Sequence, residues 1–187
     1  MDLAILRIFF LLLKVVSAKK ISLDLEVVFR GVSLRYDVPF VSTPEPVVRR
    51  MLKLADVRPG EVVYDLGAGD GRILMIAALE FGAKAVGVEI RPHLVYEIEK
   101  KIKEHNLQGR VKVIQGNFFE VDLSEADVVT LYLLTSVNKK LRPKLEKELK
   151  PGARVVSHDF EIPGWTPVRV EIVPDIWTTH KIYLYRR

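Results

Sequence analysis

Three glycines spaced two apart, Gly67, Gly69 and Gly71, follow the apolar run Val62-Val63-Tyr64-Asp65-Leu66, and a second run, Val86-Gly87-Val88, ends in Glu89. Such glycines let a backbone turn tightly and approach a ligand that any Cβ would block. A helix over 70–81 would then point its first N–H groups at that ligand. Glu89 stands 18 residues past Gly71, about where the second strand of a nucleotide-binding fold presents an acid to ribose hydroxyls. Leu66, Ala68 and Ile90, their neighbours in the chain, complete the expected contact.

The dinucleotide fingerprint is G-x-G-x-x-G, whereas here the spacing is G-x-G-x-G with Asp65 at the strand end. Beside a pyrophosphate that aspartate would be repelled; beside a cation it is attracted. The pattern resembles motif I of the class I (seven-stranded) S-adenosylmethionine-dependent methyltransferases, whose ligand carries an α-amino group and a sulfonium. The resemblance implies S-adenosylmethionine as cofactor. A turn that served only chain reversal would leave Asp65 and Glu89 without a task.

Composition narrows the alternatives. With 187 residues, 28% charged and 49% apolar, the chain fits one globular domain with a sizeable core. It has no cysteine, which excludes disulfides, thiolate nucleophiles and cysteine metal sites. His93, His105, His158 and His180 show no ligand spacing, so no metal site can be argued. Lysine, arginine and glutamate are plentiful while asparagine, glutamine and methionine are scarce, a balance that leans towards a thermophile. The net charge of +5 is spread out, with no aromatic-interleaved basic patch and hence no specific nucleic-acid signal.

Residues 1–18 stand apart as an apolar N-terminal helix. Leu3 to Val16 is broken only by Arg7 and Lys14. At 1.5 Å per residue it is about 21 Å long, short of a hydrocarbon core of about 30 Å. A helix lying in a membrane interface suits it, as does one packed on its own domain or on a second copy; the pattern leaves both open. A secretory signal fits poorly, because the chain begins Met1-Asp2 rather than with a basic region. The expected location is cytoplasmic, with membrane contact resting on residues 3–16 alone. Residues 19–43 read as a connector and cofactor-covering segment, in which 21–36 suits a hairpin or a helix–strand link.

Residues 44–187 read as the catalytic domain. Thr43 as N-cap and Pro44 at the first helical position start a helix that ends at Arg58-Pro59-Gly60. After strand 62–66 the pattern predicts helix 70–81, strand 84–89, helix 92–105, strands 111–115 and 127–133, helix 137–149 and strand 153–158. Alternation of this kind predicts an α/β fold: a mostly parallel sheet with helices on both faces. Strands 168–173 and 181–186 should close it as an antiparallel hairpin. Seven strands ending this way match the class I methyltransferase (Rossmann-like) sheet, with the ligand above the strands' carboxyl ends.

Further pocket residues follow from that fold. Asn117, after Gly116, offers a side-chain oxygen to the adenine amino group, and Phe118 either faces the adenine or packs in the core. Leu131 and Tyr132 end the fourth strand, where the methyl group should emerge. No Asn-Pro-Pro-Tyr occurs there, which argues against adenine, cytosine and glutamine as targets.

Three stretches carry a closer resemblance: Val38 to Pro44 with the helix after it, Gly116 to Asp122, and Val129 to Trp165. Together they resemble the archaeal broad-specificity protein lysine methyltransferases. They are also similar to the mitochondrial lysine methyltransferases of ATP synthase subunit c and the adenine nucleotide translocase. The resemblance implies protein substrates and methyl transfer to a lysine amine. At neutral pH only about one lysine in a thousand is uncharged, so an apolar channel that disfavours the ammonium is expected. Phe40, Tyr132, Phe160 and Trp165 are its candidate walls, and Phe40 and Thr43 belong to the segment that closes over the cofactor. Tyr132 and His158 are candidates to take the departing proton. A methyltransferase for RNA or a small metabolite on the same fold, and a cofactor-binding membrane adaptor without turnover, are the competing readings.

Overall fold

The strands at the centre of the sheet are buried along almost their whole length and mostly apolar, as strands covered on both faces must be. The computed structural model describes residues 41–175 and 178–187, within one compact unit, Val38–Arg187. In chain order these residues form α1 (Glu45–Leu54), β1 (Val62–Leu66), α2 (Arg72–Phe81), β2 (Lys84–Glu89), α3 (Pro92–Glu104), β3 (Val111–Gln115), β4 (Val128–Leu131), α4 (Thr135–Glu148), β5 (Arg154–His158), β6 (Arg169–Pro174) and β7 (Thr179–Arg186). The sheet order is β3-β2-β1-β4-β5-β7-β6. The first five are parallel, and β7 runs antiparallel to both β5 and β6. The α/β sheet with its antiparallel terminal hairpin is the one expected of a class I methyltransferase.

Successive strand side chains point to opposite faces, and each face builds its own core. Val63, Val128 and Val156 join Met51 and Leu52 of α1, Leu74 and Ala77 of α2 and Ile98 and Ile102 of α3. Tyr64, Val129 and Val155 join Leu141 and Leu145 of α4. Each of these leucines, fully buried, contributes about 1.5–3 kcal/mol of transfer free energy. The chain passes from β1 outward to β2 and β3, then back across β1 to β4. The sheet therefore reverses direction between β1 and β4, and a crevice opens above their carboxyl ends.

Several element ends differ from expectation, each for a tertiary reason. Helix α1 starts at Glu45 with Pro44 as N-cap and no side-chain cap, because the Thr43 hydroxyl is bonded to His158 Nδ1 instead, at 3.1 Å. The expected strand 127–133 stops at Leu131, and Leu134 becomes the N-cap of α4. Helix α2 begins only after Gly71, which serves as its N-cap in the left-handed region. Among the described residues no helix is long and apolar enough to cross a membrane. The expected N-terminal helix and most of the connector, Phe40 included, lie outside the described residues.

Candidate active site

The end of β1 places a carboxylate in the crevice. Asp65 faces Gly87 of β2 on one side and Thr130 of β4 on the other, and it is buried. Thr130 Oγ1 donates to Asp65 Oδ1 at 2.7 Å. Burial pushes the Asp65 carboxyl up to about 7, with the nearby Glu89 and Asp70 adding and the Thr130 bond opposing. The site thus gathers three carboxylates: Arg72 pairs with Asp70 and Arg91 with Glu89, while the hydrogen bond given for the Asp65 side chain comes from the neutral Thr130 hydroxyl.

Beyond Asp65 the chain turns through three left-handed glycines, with φ of 87° at Gly67, 55° at Gly69 and 78° at Gly71. Their positive φ is the reason for glycine here. A Cβ on Gly71 would also come within 2.8 Å of Ile98. Gly67 and Ala68 donate their N–H groups to the Val88 carbonyl at 2.9 and 3.0 Å. Glu89 holds the turn from the next strand: Oε2 accepts from Gly69 N–H and Oε1 from Arg91 N–H, both at 2.9 Å. Oε1 also pairs with the Arg91 guanidinium at 3.5 Å, and a carboxylate oxygen that accepts one N–H can still accept a hydroxyl. Ile90, next in the chain, leaves its apolar side chain 43% exposed. Asp70 is tied down by Arg72, whose Nη1 also reaches the Thr43 carbonyl at 2.8 Å. Burial acts to raise Asp70, but the bonds and charge of Arg72 outweigh it and hold the carboxyl below its usual range.

These residues fit S-adenosylmethionine. The left-handed turn leaves backbone where Cβ atoms would stand, and the carboxylates that raise Asp65 match a sulfonium and an ammonium. The acid at the end of β2 has acceptor capacity to spare. Other expected contacts sit differently. Leu66 and Leu131 are fully buried core residues, so only their backbone can reach a ligand. Asn117 Oδ1 already accepts from Phe119 N–H at 3.1 Å, and Phe118 lies half-buried with its ring 4.8 Å from Phe119.

A second group gathers past β4 and β5. The Tyr132 ring lies over His158 with centroids 3.9 Å apart, and Phe160 is 6.0 Å from Tyr132. Burial, with Asp159 adding, pushes the Tyr132 phenol far above its usual range. His158 is fully buried, with Nδ1 on Thr43 and Nε2 on His180 Nδ1 at 2.8 Å. It therefore does not stand open to an incoming amine. The loop carrying Phe160 is held by buried Asn138 of α4, which donates to the carbonyls of Phe160 and Glu161 at 3.2 Å. Trp165 is not brought to Tyr132: it stacks on Tyr185 and donates to Glu146 Oε1 at 2.8 Å.

Sequence reasoning missed Thr130, Asp159 and His180. Spacing offered no cluster among the histidines, yet His158, Asp159 and His180 bring donor atoms within 4.8 Å of one another. Strand order, which no local pattern records, is what joins them.

Residues 65–169 match the family model described as the ANTKMT methyltransferase domain, more than half of the chain. The chain belongs to this methyltransferase family. A protein-lysine N-methyltransferase of Saccharolobus islandicus is 57% identical over 149 residues, 79% of this chain and 92% of that protein. The murine adenine nucleotide translocase lysine N-methyltransferase is 39% identical over 76% of this chain, which spans only 62% of that family member. Among solved structures, an RNA methyltransferase from Salinibacter ruber in complex with S-adenosyl-L-homocysteine superposes with a TM-score of 0.73. It is 51% identical, with 78% of this chain and 93% of that one covered. The chain is thus an enzyme, a methyltransferase, which removes the non-catalytic adaptor from the readings above.

Proposed function

We propose that this methyltransferase moves a methyl group from S-adenosylmethionine to the side-chain amine of lysine in proteins. The observation that carries the reading is the 57% identity, over nearly the whole partner, to a protein-lysine N-methyltransferase. When bound, S-adenosylmethionine supplies an electrophilic methyl on a sulfonium, already activated for in-line displacement. The protein has to bind, align and strip water from the reactants. Asp65 and the left-handed glycine turn hold the cationic end, Glu89 takes the ribose hydroxyls, and Ile90 and Phe118 offer apolar surface to the base. Asn117 shares its oxygen between Phe119 and the adenine amine. Thr43, whose carbonyl accepts from Arg72 Nη1, belongs to the segment assigned to cover the cofactor.

Tyr132 and Phe160 wall the acceptor side. Aromatic walls favour the uncharged amine by desolvation. The Tyr132 phenol stays protonated at any physiological pH because burial holds it high, so it contributes the apolar surface of its ring and does not remove a proton. With both ring nitrogens of His158 engaged, the ammonium loses its proton to water as it enters the channel. Contact of residues 3–16 with a membrane surface stays a proposal from the sequence alone.

RNA is the second reading, favoured by the Salinibacter neighbour. One experiment separates them: purified protein, radiolabelled S-adenosylmethionine and a total lysate of the source cell, with an Asp65→Ala control. Label resistant to nuclease and recovered as methyl-lysine, absent from the control, is the expected result. Nuclease-sensitive label would transfer the assignment to RNA.

A further inference from the structure

A histidine at position 180 is out of place by strand alternation. On one face of β7 the sequence runs His180, Ile182, Leu184, and Ile182 and Leu184 are buried in the core under α1. The same face of β5 runs Arg154, Val156, His158. Both strands therefore carry an imidazole at the same end of the sheet, and both imidazoles are buried. A buried polar ring costs free energy unless it is bonded, so an aliphatic residue would be the simpler filling.

What the two rings do is hold each other. His180 Nδ1 meets His158 Nε2 at 2.8 Å, a contact with one proton between two nitrogens. Thr43 anchors the opposite edge of His158 at Nδ1. Asp159 stands beside the contact, with Oδ2 at 3.3 Å from His158 Nε2 and 3.5 Å from His180 Nδ1. Its own place is set by β7: Lys181 N–H donates to Asp159 Oδ1 at 2.9 Å, and Asp159 N–H to the Lys181 carbonyl at 2.7 Å. A histidine ring anchored at one edge can pivot, because its second torsion is broad. Anchored at both edges it cannot, and the Tyr132 ring, with its centroid 3.9 Å away and tilted by 35°, packs against the ring so held.

We propose that His180 is a positioning residue for methyl transfer, holding His158, and through it the Tyr132 ring that packs on it, in place on the acceptor side. The proposal rests on the reading of Tyr132 as a wall of the acceptor channel. A misplacement of about 1 Å can cost on the order of a hundredfold in rate, whereas the cofactor's own contacts on β1 and β2 are untouched.

The test compares His180→Leu, His180→Asn and His180→Gln in the full chain, using as substrate the unmethylated form of the acceptor protein that the labelling identifies. Asparagine reaches the place of Nδ1 and keeps the contact with His158; glutamine reaches the place of Nε2 and loses it. Expected for His180→Leu and His180→Gln is a fall in kcat of about tenfold or more, with KM and Kd for S-adenosylmethionine unchanged within about twofold. His180→Asn is expected within about threefold of the parent. A leucine variant with parental kcat, or an asparagine variant as impaired as the glutamine one, overturns the proposal. Should the leucine variant not fold, the asparagine and glutamine pair decides alone. Tyr132→Leu is the control on the underlying reading: parental kcat there would remove the acceptor wall itself, whatever His180 does.

Discussion

At the scale of single residues, Asp65 is the group whose chemistry is most exposed to test. Its carboxyl titrates near 7 because it is buried among other acids, and a cationic ligand must favour the ionised form. Binding of S-adenosylmethionine should therefore release a proton below that pH. The affinity is expected to weaken towards about tenfold per pH unit as pH falls from 7 to 5, read by calorimetry in buffers of different ionisation heat. Asp65→Asn should bind weakly and lose that slope; a slope kept in the variant would assign the proton elsewhere. Tyr132 makes a contrasting case. No hydrogen bond to its hydroxyl occurs among the described residues, and the ring makes the contacts with His158 and Phe160. Tyr132→Phe is accordingly expected to keep kcat within about threefold, and a hundredfold loss would make the hydroxyl, not the ring, the working part.

At the scale of elements, the glycine turn depends on how closely α2 lies on β2. Gly87 in the middle of β2 is the contact: a Cβ there would stand 2.5 Å from Leu74 Cδ1 and 2.9 Å from Ala68 Cβ. Gly87→Ala must push the helix and the turn outward, at a cost of about 1–3 kcal/mol. At about 2–4 °C per kcal/mol for a chain of this size, the melting temperature should drop measurably. Because Ala68 belongs to the turn, cofactor affinity should drop with it; a stable variant with parental affinity would show that Leu74 alone absorbs the methyl. These elements were largely legible in the sequence. Strands β1, β2, β3 and β5 carry apolar runs, bounded by glycine, proline or charge, within a residue of the observed ends. Two of the misread ends are those where a side chain has a distant partner. Thr43 looks like a cap but serves His158, and the Thr179-His180 start of β7 is polar because His180 also serves His158. In the site, Asp65, the glycines and Glu89 could be found because one βαβ unit brings them together. Thr130 could not, since only the return of the chain to β4 sets it opposite Asp65.

At the scale of the whole molecule, the same carboxylates set how stability depends on pH, and they pull in opposite directions. Asp70 and Asp127 are raised by burial, but the former's bonds to Arg72 and the latter's to Lys150 and Val62 N–H outweigh it and leave both below their usual range. Asp122, bonded to Ser124, is held low as well. Their stabilising share is present above the unfolded carboxylate range and is lost as pH falls through their depressed folded values. Asp65 is raised, so its share runs the other way: complete below about 4, it disappears as pH rises through about 7. The ligand-free protein should consequently be most stable near about pH 4, with stability falling on either side. From pH 5 to 8 the melting temperature is expected to decline by on the order of 5–10 °C. Saturating S-adenosylmethionine should abolish that decline, because the bound cation reverses the preference of Asp65 for a proton. The acid limb below pH 4 should remain, since Asp127 and Asp122 lie outside the ligand's contacts. Scanning calorimetry across pH 3–8, with and without cofactor, reads both limbs at once. A ligand-free curve flat from pH 5 to 8 would mean that Asp65 is already compensated within the fold, and the charge argument for a cationic ligand would go with it.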